Sequence, residues 1–370
     1  MRRVVSLFLP NWPTDRHYRA QETAQQLPGE LPPDVRRDQP LALIASDGGA
    51  KVVYAANAAA RRSGLSIGMS ATQAQAIVPN LDTRLASPDD DQAALERLGL
   101  WAIRRYSPAV AVDPPDGLVL DATGASHLFG GEAAMLDDLI QRLGSSSIAA
   151  RAGLASTWGT AHAAARFMAP LASIIAPDDT AAVLSGLPLR ALRLDAETVT
   201  ELRRLGFETL GELANTPRAP LALRFGQGLL LRIDQAYGRQ PEPFIPLEPP
   251  ELPRVTRGFA EPIGAPETLH RYTAKLCQQL CDALQMRMIG ASQLDLLFVR
   301  IDSRIEAIRA GLARPSRDAA RLTRLLGDRI ETIDPGPGVE RMTLVASRTD
   351  NLIPLPGGVL GEAPPRDISE

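Results

Sequence analysis

The stretch Ala111–Gly131, AVDPPDGLVLDATGASHLFGG, decides how this chain is read. Pro114 and Pro115 make a turn, Leu118–Leu120 reads as a buried strand between Asp116 and Asp121, and Gly124, Gly130 and Gly131 break the chain before the next helix. Carboxylates at the end of a central strand are where metal-dependent phosphoryl-transfer enzymes hold their ions, because Mg²⁺ takes hard oxygen ligands and usually only one or two from protein. The stretch is therefore the rim of a metal site or the remnant of one.

Upstream, strand-like alternation at Val4–Leu9 is followed, after an insertion, by an amphipathic helix Gln92–Arg105 with Leu95, Leu98 and Ala102 on one face. Strands Val110–Val112 and Leu118–Leu120 come next, then a helix Glu132–Leu143 and a strand Ile148–Leu154 in which Ile148, Ala150, Ala152 and Leu154 share a face. That order, β-α-β-β-α-β, is ferredoxin-like. The insertion carries two short strands, PLALIAS and AKVVYAAN, and two helices, AAARRSG and SATQAQAIV, and reads as a small lobe hung on the sheet.

From Ala181 to Tyr237 short helices alternate with Pro and Gly. Within them AETVTELRRLGFETLGELA reads either as a helix-hairpin-helix, whose turn at Gly206 and helix start at Thr209 hold a DNA phosphate, or as an ordinary αα-hairpin. GRQPEPFIPLEPPELP has too many prolines for a helix or central strand and is expected to be an extended, semi-rigid tether. Beyond it the order β (Arg254–Ala260), α (Glu267–Met286), β (Leu294–Ile301), β (Ile305–Ala310), α (Arg317–Glu331), β (Val339–Ala346) repeats the first topology. The end, from Asn351 to Glu370, is rich in Pro and Gly and is expected to be disordered.

Composition narrows the function classes. With 370 residues, 45% of them hydrophobic, the chain can bury large cores in two or more domains. The formal charge of −3 excludes a generic polyanion binder, yet Arg254–Arg329 carries thirteen basic against eight acidic residues, a net of +5. Lys occurs only at Lys51 and Lys275, an Arg bias that codon usage explains as readily as phosphate recognition. Cys277 and Cys281, four apart on a helix, read as core thiols, and His17, His127, His162 and His270 are too scattered for a metal cluster. The apolar run after the basic start MRRVV is too short for a signal segment or a membrane span, so a cytoplasmic protein with no membrane partner is expected.

Three local matches, in order, resemble the Y-family (UmuC/DinB-like) translesion DNA polymerases. AAARRSGLSIGM is similar to the fingers signature Tyr-Glu-Ala-Arg with Gly-Val and Gly-Met, GLVLDATG to the palm strand Ser-Ile-Asp-Glu-Ala-Tyr-Leu-Asp-Val-Thr, and AGLASTWGTAHAAARFMAP to the palm helix Gly-Ile-Ala-x-Asn-Lys-x-x-Ala-Lys-x-Ala. The resemblance implies an α+β Y-family architecture: a ferredoxin-like palm (1–16 and 81–168) with inserted fingers (17–80), a helical thumb with the helix-hairpin-helix (169–240), a tether (241–253), a second ferredoxin-like unit, the little finger (254–350), and a disordered tail (351–370).

Two-metal nucleotidyl transfer needs bridging carboxylates and a cationic clamp on the triphosphate. The family's first-strand Asp has no counterpart, since VVSLFLPNW holds no acidic residue before Asp15. Aligned on Leu120-Asp121-Ala122-Thr123, Asp116 takes the place of the second catalytic Asp and Gly117 that of the Glu. The fingers Tyr and Glu become Ala58 and Ala59, leaving Arg61 as the nucleotide-binding remnant or a solvated helix residue, and the palm Lys positions become Trp158 and His162. Asp116 is thus a vestigial ligand or a plain turn carboxylate, Asp121 braces the Ala-Thr-Gly turn, and no catalytic residue, metal or cofactor is expected.

This loss, with the palm strand running into LDATGASHLFGGE, resembles the ImuB-like, catalytically degenerate branch. The resemblance implies a non-catalytic DNA-binding accessory protein in translesion synthesis, SOS-type induced mutagenesis and DNA repair. Its implied partners are primer-template DNA, a replicative-type error-prone polymerase, a RecA-like accessory protein and the sliding clamp. Arg254, Arg257, Arg300, Arg309 and Arg314, with Gly206 and Thr209, are the expected DNA contacts. The clamp-binding peptide of Gln-x-x-Leu-x-Phe type is not found, because NLIPLPGG lacks the Gln and the aromatic anchor, so the chain reads as stopping short of it. One alternative is an active polymerase, requiring Mg²⁺, with ligands rearranged among Asp15, Asp113 and Asp116; another is a nucleotide-converting enzyme on a palm-like fold.

Overall fold

Strand β1 (Val4–Phe8) lies between β6 (Gly117–Asp121) and β7 (Arg151–Ala155), antiparallel to both, with Ser6 opposite Val119 on one side and Gly153 on the other. The computed structural model describes residues 2–23, 37–249 and 252–351. With β5 (Val110–Asp113) and β8 (Ala172–Ile174) the sheet order is β5-β6-β1-β7-β8. Strand alternation sends Val5, Leu7, Leu118 and Leu120 to one face, where they pack under the helices Pro88–Arg105 and Glu132–Ser145 through Leu95, Ile103, Leu136 and Leu139. Each of these fully buried leucines contributes about 1.5–3 kcal/mol. The opposite face carries Ser6, Phe8, Gly117 and Val119 and is covered in part by the helix Trp158–Phe167. That second face holds the site.

Two local expectations shift. The strand expected from Ile148 begins only at Arg151, because the Ala149 N–H donates to the Asp15 carboxylate at 2.9 Å instead of to a neighbouring strand. Asp15 sits on a helix, Trp12–Thr23, that the sequence reading did not anticipate. Ile148 and Ala150 nonetheless join the core with Ala152 and Leu154, as their shared parity requires.

The inserted lobe is a three-stranded sheet, β3 (Ala50–Ala56), β2 (Leu41–Asp47) and β4 (Asp82–Leu85), with helices Ala58–Arg62 and Ala71–Ile77. Asn57 caps the first of these helices. Its Oδ1 accepts from the Leu41 and Ala60 N–H groups while its Nδ2 donates to the Tyr18 hydroxyl and to the Arg37 and Gln39 carbonyls.

Downstream, helices Ala196–Arg204, Leu210–Ala214 and Arg218–Ala236 bury Leu202, Leu210, Leu213 and Ile233 together. This layer is fastened to the first sheet's helix by hydrogen bonds from the Thr157 and Thr160 hydroxyls to the Ala236 carbonyl, at 2.9 and 2.8 Å, and Gly159 lies so close to Ala236 that a Cβ there would meet its Cα at 2.8 Å. The segment expected to be a tether is not free at its start. Phe244 is buried with Val4, Ala111 and Val119, the Leu247 N–H donates to the Val110 carbonyl at 2.7 Å, and Glu242 is buried between Arg193 and Arg232. Its prolines remove donors without preventing side-chain burial.

The chain divides into two compact units, the second formed by residues 250–301 and from 308 onward, with 302–307, the start of β11 included, grouped with the first. The second contains β9 (Arg254–Ile263), β10 (Ile289–Arg300), the rest of β11 (Ile305–Ser316) and β12 (Val339–Asn351), with helices Pro266–Met286 and Ala319–Ile330 packed on one face through Leu276, Leu280, Leu322 and Leu326. The element order repeats that of the first sheet, but the strand order does not. Here β11-β10-β12-β9 places the second and fourth strands of the run at the centre, whereas among the corresponding four strands of the first sheet, β5-β6-β1-β7, the first and third are central. The tail beyond Asn351 lies outside the described residues. Among the described residues no helix is long and apolar enough to cross a membrane.

Candidate functional site

The rim of β6 holds a cation of the protein's own. Asp113, at the end of β5, and Asp116, in the turn, both face Arg166 on the last turn of the helix Trp158–Phe167: its Nη2 lies 2.8 Å from Asp116 Oδ1 and 3.4 Å from Asp113 Oδ2. Its Nη1 reaches Ser6 Oγ at 3.5 Å, and the guanidinium stacks 4.7 Å from the Phe8 ring centroid. Arg166 is 12% exposed, so this is a mostly desolvated arrangement.

Gly117 explains why the guanidinium fits. A Cβ there would lie 2.7 Å from the Leu7 carbonyl oxygen and 2.9 Å from Arg166 Nη2, so this backbone admits no side chain at the position aligned with the family's catalytic Glu. Asp113 is more deeply buried than Asp116; burial pushes its pKa up, and the Arg166 and Arg193 charges pull it back. His162 lies 3.8 Å from Asp113 but is no ionic partner: burial first, then Arg166, Arg193 and Arg232, push its pKa down to about 2, and it is neutral.

The donor set does not fit two magnesium ions. Ser6 and Leu7 offer no carboxylate, Gly117 offers no side chain, and the two remaining aspartates already share a guanidinium. Among the described residues no three His, Cys, Asp or Glu side chains converge as a metal-holding group. Asp15, invoked for a rearranged site, is instead buried against Ala149 and Arg37, with burial raising its pKa to about 6. Asp121 braces the turn as expected, accepting from the Thr123 N–H at 2.9 Å.

Arg61 is exposed but committed, donating to the Pro10 carbonyl at 2.9 Å and to Asn11 Oδ1. It ties the inserted lobe to the end of β1. The expected phosphate cradle at Gly206 and Thr209 is also taken. Gly206 turns with φ +90°, but Glu212 accepts from the Glu208 and Thr209 N–H groups at 2.7 and 3.1 Å, and the Thr209 hydroxyl accepts from the Glu212 N–H at 3.3 Å. This capping box puts a carboxylate where the phosphate would bond.

The five arginines of the second unit do not form one patch. Arg300 is 4% exposed and braces the following loop, donating to the Asp334 carbonyl and carboxylate, each at 3.0 Å. Arg309 is paired with the buried Asp295 at 2.7 Å. Arg254, Arg257 and Arg314 are exposed. The register, Arg254 opposite Val345 and Arg257 opposite the core residue Met342, divides them between faces: Arg254 lies on the helix-free side, while Arg257 lies on the helix side, 5.8 Å from the Tyr272 ring. The parity of Ile308, Ala310 and Leu312 places Arg314 on the helix side as well. Sequence reasoning missed two participants. Arg341, exposed and outward beside Met342, was legible from the Met342/Leu344/Ala346 alternation; Arg166 had no local signal, because only folding brings it to Asp113 and Asp116.

Residues 24–166 match the model of the impB/mucB/samB family. Protein ImuB of Caulobacter vibrioides is 45% identical over 284 residues, covering 76% of this chain and 61% of its own length, so the chain spans about three fifths of that relative. DNA polymerase IV of Yersinia pseudotuberculosis is 26% identical over 265 residues, 68% of this chain and 70% of that protein. The structure of DinB from Sulfolobus solfataricus matches over 93% of this chain and 98% of its own, with a TM-score of 0.53 at 16% identity. The chain thus carries an impB/mucB/samB-family domain, is a homologue of the Caulobacter vibrioides ImuB protein, and has the fold of the Y-family polymerase DinB.

Proposed function

We propose that this chain is a non-catalytic, polymerase-like accessory protein that binds DNA in translesion synthesis and induced mutagenesis. The observation that carries the reading is Arg166, a permanent cation held between Asp113 and Asp116 where a working polymerase would need metal ions. The ImuB homology supports the accessory role in mutagenesis, and the missing first-strand carboxylate supports the loss of catalysis. A rearranged polymerase site finds no support, since Asp15 is held by Ala149, and a nucleotide-converting enzyme finds no carboxylate cluster to work with among the described residues.

DNA contact is assigned to the exposed Arg254 and Arg341 on the helix-free face of the second sheet, flanked by the paired Thr256 and Thr343 hydroxyls, 3.1 Å apart. These groups address phosphates without reading sequence. An error-prone polymerase, a RecA-like protein and the sliding clamp are the proposed partners; the segment expected to lack the clamp peptide, from Leu352 onward, lies outside the described residues. The deciding experiment is primer extension with Mg²⁺ and Mn²⁺ beside a primer-template binding titration on the same preparation. Binding that weakens with salt and no extension above background is expected; extension abolished by Asp116→Ala would overturn the reading.

A further inference from the structure

On the face of the first sheet opposite the helix Trp158–Phe167, a cavity of about 600 Å³ opens between the helices Trp12–Thr23 and Pro88–Arg105 and the end of the helix Glu132–Ser145. Its size falls in the range of about 300–1,000 Å³ common to ligand sites. Arg16, Arg19, Arg97 and Arg142 line it, and none of the described residues lining it is acidic. These cations are only partly used. Arg16 reaches Asp91 through Nε, with Nη1 no nearer than 4.0 Å to Asp90, and Arg142 reaches both oxygens of Asp138 through Nε at 2.9 Å. The Nη1 and Nη2 groups of both therefore have no hydrogen-bond partner among the described residues. Arg97 is exposed and makes no hydrogen bond or ion pair with a described residue, whereas Arg19 is engaged within the chain.

The rest of the lining is apolar or aromatic. Leu98, Leu143 and Ile148 supply aliphatic walls. Trp12 is fixed, 2% exposed with its indole N–H given to the Asp91 carbonyl at 3.0 Å. Trp101, one turn beyond Arg97 on the same helix face, is half-buried edge-on to Tyr106 at 5.4 Å, and its indole N–H has no partner among the described residues. Guanidinium and indole groups can only donate. They call for an acceptor-rich anion carried on an apolar body, and arginines beside tryptophan are where binding energy concentrates at protein interfaces. A run of stacked bases needs several open aromatic faces. Trp12 is buried, which leaves Trp101 alone and places nucleic acid second.

We propose that this groove docks an acidic peptide segment of a partner protein, with carboxylates on Arg16, Arg97 and Arg142 and one apolar side chain against Trp101 and Leu98. Arginine clusters recognise acidic motifs in this way. The inference rests on the accessory reading only for the existence of a partner, and the groove uses neither Arg166 nor the assigned DNA contacts. A fluorescein-labelled peptide, Glu-Asp-Glu-Leu-Phe-Glu-Asp-Glu, and a control with Gln and Asn in place of its acidic residues would each be titrated into the full chain by fluorescence anisotropy. The acidic peptide should bind with a Kd on the order of 10–100 μM, about tenfold or more tighter than the control, and should weaken as salt rises. Arg97→Glu should weaken it about 5- to 10-fold with the thermal midpoint unchanged. Arg190→Glu, the same change of charge at an exposed position outside the groove, should leave it as in wild type. Equal affinity for the two peptides, equal loss in the two variants, competition by oligothymidylate whose own binding Arg97→Glu weakens, displacement by inorganic phosphate at constant ionic strength, or no saturable binding up to about 1 mM would each overturn the proposal. Primer extension by the wild-type chain would defeat the accessory reading and leave the peptide titration standing, so the two fail separately.

Discussion

Replacing Arg166 by Ala would leave Asp113 as a buried carboxylate with no directly paired cation, only the more distant Arg193 charge. Its side chain is 12% exposed and that of Asp116 is 30%, so nearly all the cost falls on Asp113, with at most about 1 kcal/mol from the more solvated Asp116. Removing one partner of a buried pair costs about 3–5 kcal/mol, because the remaining charge is desolvated and uncompensated. Urea denaturation followed by circular dichroism at pH 8 should show that loss. Acidification should narrow the gap to wild type. Burial already raises the Asp113 pKa, and without Arg166 it rises further. A carboxyl whose folded pKa exceeds its unfolded one contributes stability that is present below the unfolded pKa and lost as pH rises through the folded value. His162, relieved of one repelling cation, moves its pKa the same way. Adding Asp113→Asn to Arg166→Ala should recover about 2 kcal/mol at pH 8, since the neutral amide no longer needs the guanidinium. A cost below about 1 kcal/mol at pH 8, or a gap equal at pH 5 and pH 8, would show that Arg166 is not the counter-ion of this site.

Further outcomes follow from the same contacts. Gly117→Glu should restore no primer extension and should lower the urea midpoint, because its Cβ would press on the Leu7 carbonyl at 2.7 Å; extension by this variant would contradict the geometry. Arg254→Ala should reduce DNA affinity and flatten its log–log salt slope by about one, while Arg300→Ala should leave the slope unchanged and lower stability by about 1 kcal/mol, since the Asp334 left behind stays solvated, so a reversed pattern in the salt titration would refute the assignment. Asp15→Asn keeps an oxygen for the Ala149 N–H and removes a carboxyl whose pKa burial raises from 3.8 to about 6; it should be more stable than wild type by about 2–3 kcal/mol above pH 7 and no more stable below pH 4, as read by denaturant midpoints. His162 is depressed from 6.5, so its contribution is present above that value and lost as pH falls, at about 1.4 kcal/mol per unit; His162→Phe should flatten the stability profile between pH 6.5 and pH 5, and an unchanged slope would mean that the ring titrates normally.

Most of the elements and their order were legible in local pattern, because hydrophobic parity and Pro/Gly punctuation are local, although the helix Trp12–Thr23 was not. Leu118 and Leu120 declared β6, and the shared parity of Ile148, Ala150, Ala152 and Leu154 placed them in one core even where the strand begins later. The missing first-strand carboxylate and Gly117 were equally legible, since an absent side chain needs no folding to be seen. Long-range packing settled which strands became central in each sheet. Two runs with the same β-α-β-β-α-β order closed as β5-β6-β1-β7-β8 and β11-β10-β12-β9, and alternation along a strand carries no record of its neighbours. It also decided which charges are engaged inside the fold: Arg300 and Arg309 read as surface arginines in the sequence, yet Asp334 and Asp295 bind them, and Glu212 occupies the hairpin turn that reads as a phosphate site. Arg166 and Asp113 stand 53 residues apart, and their meeting follows from a helix packing across the face of the sheet. Pairing between such distant charges depends on distance and desolvation, two quantities that exist only once the chain has folded.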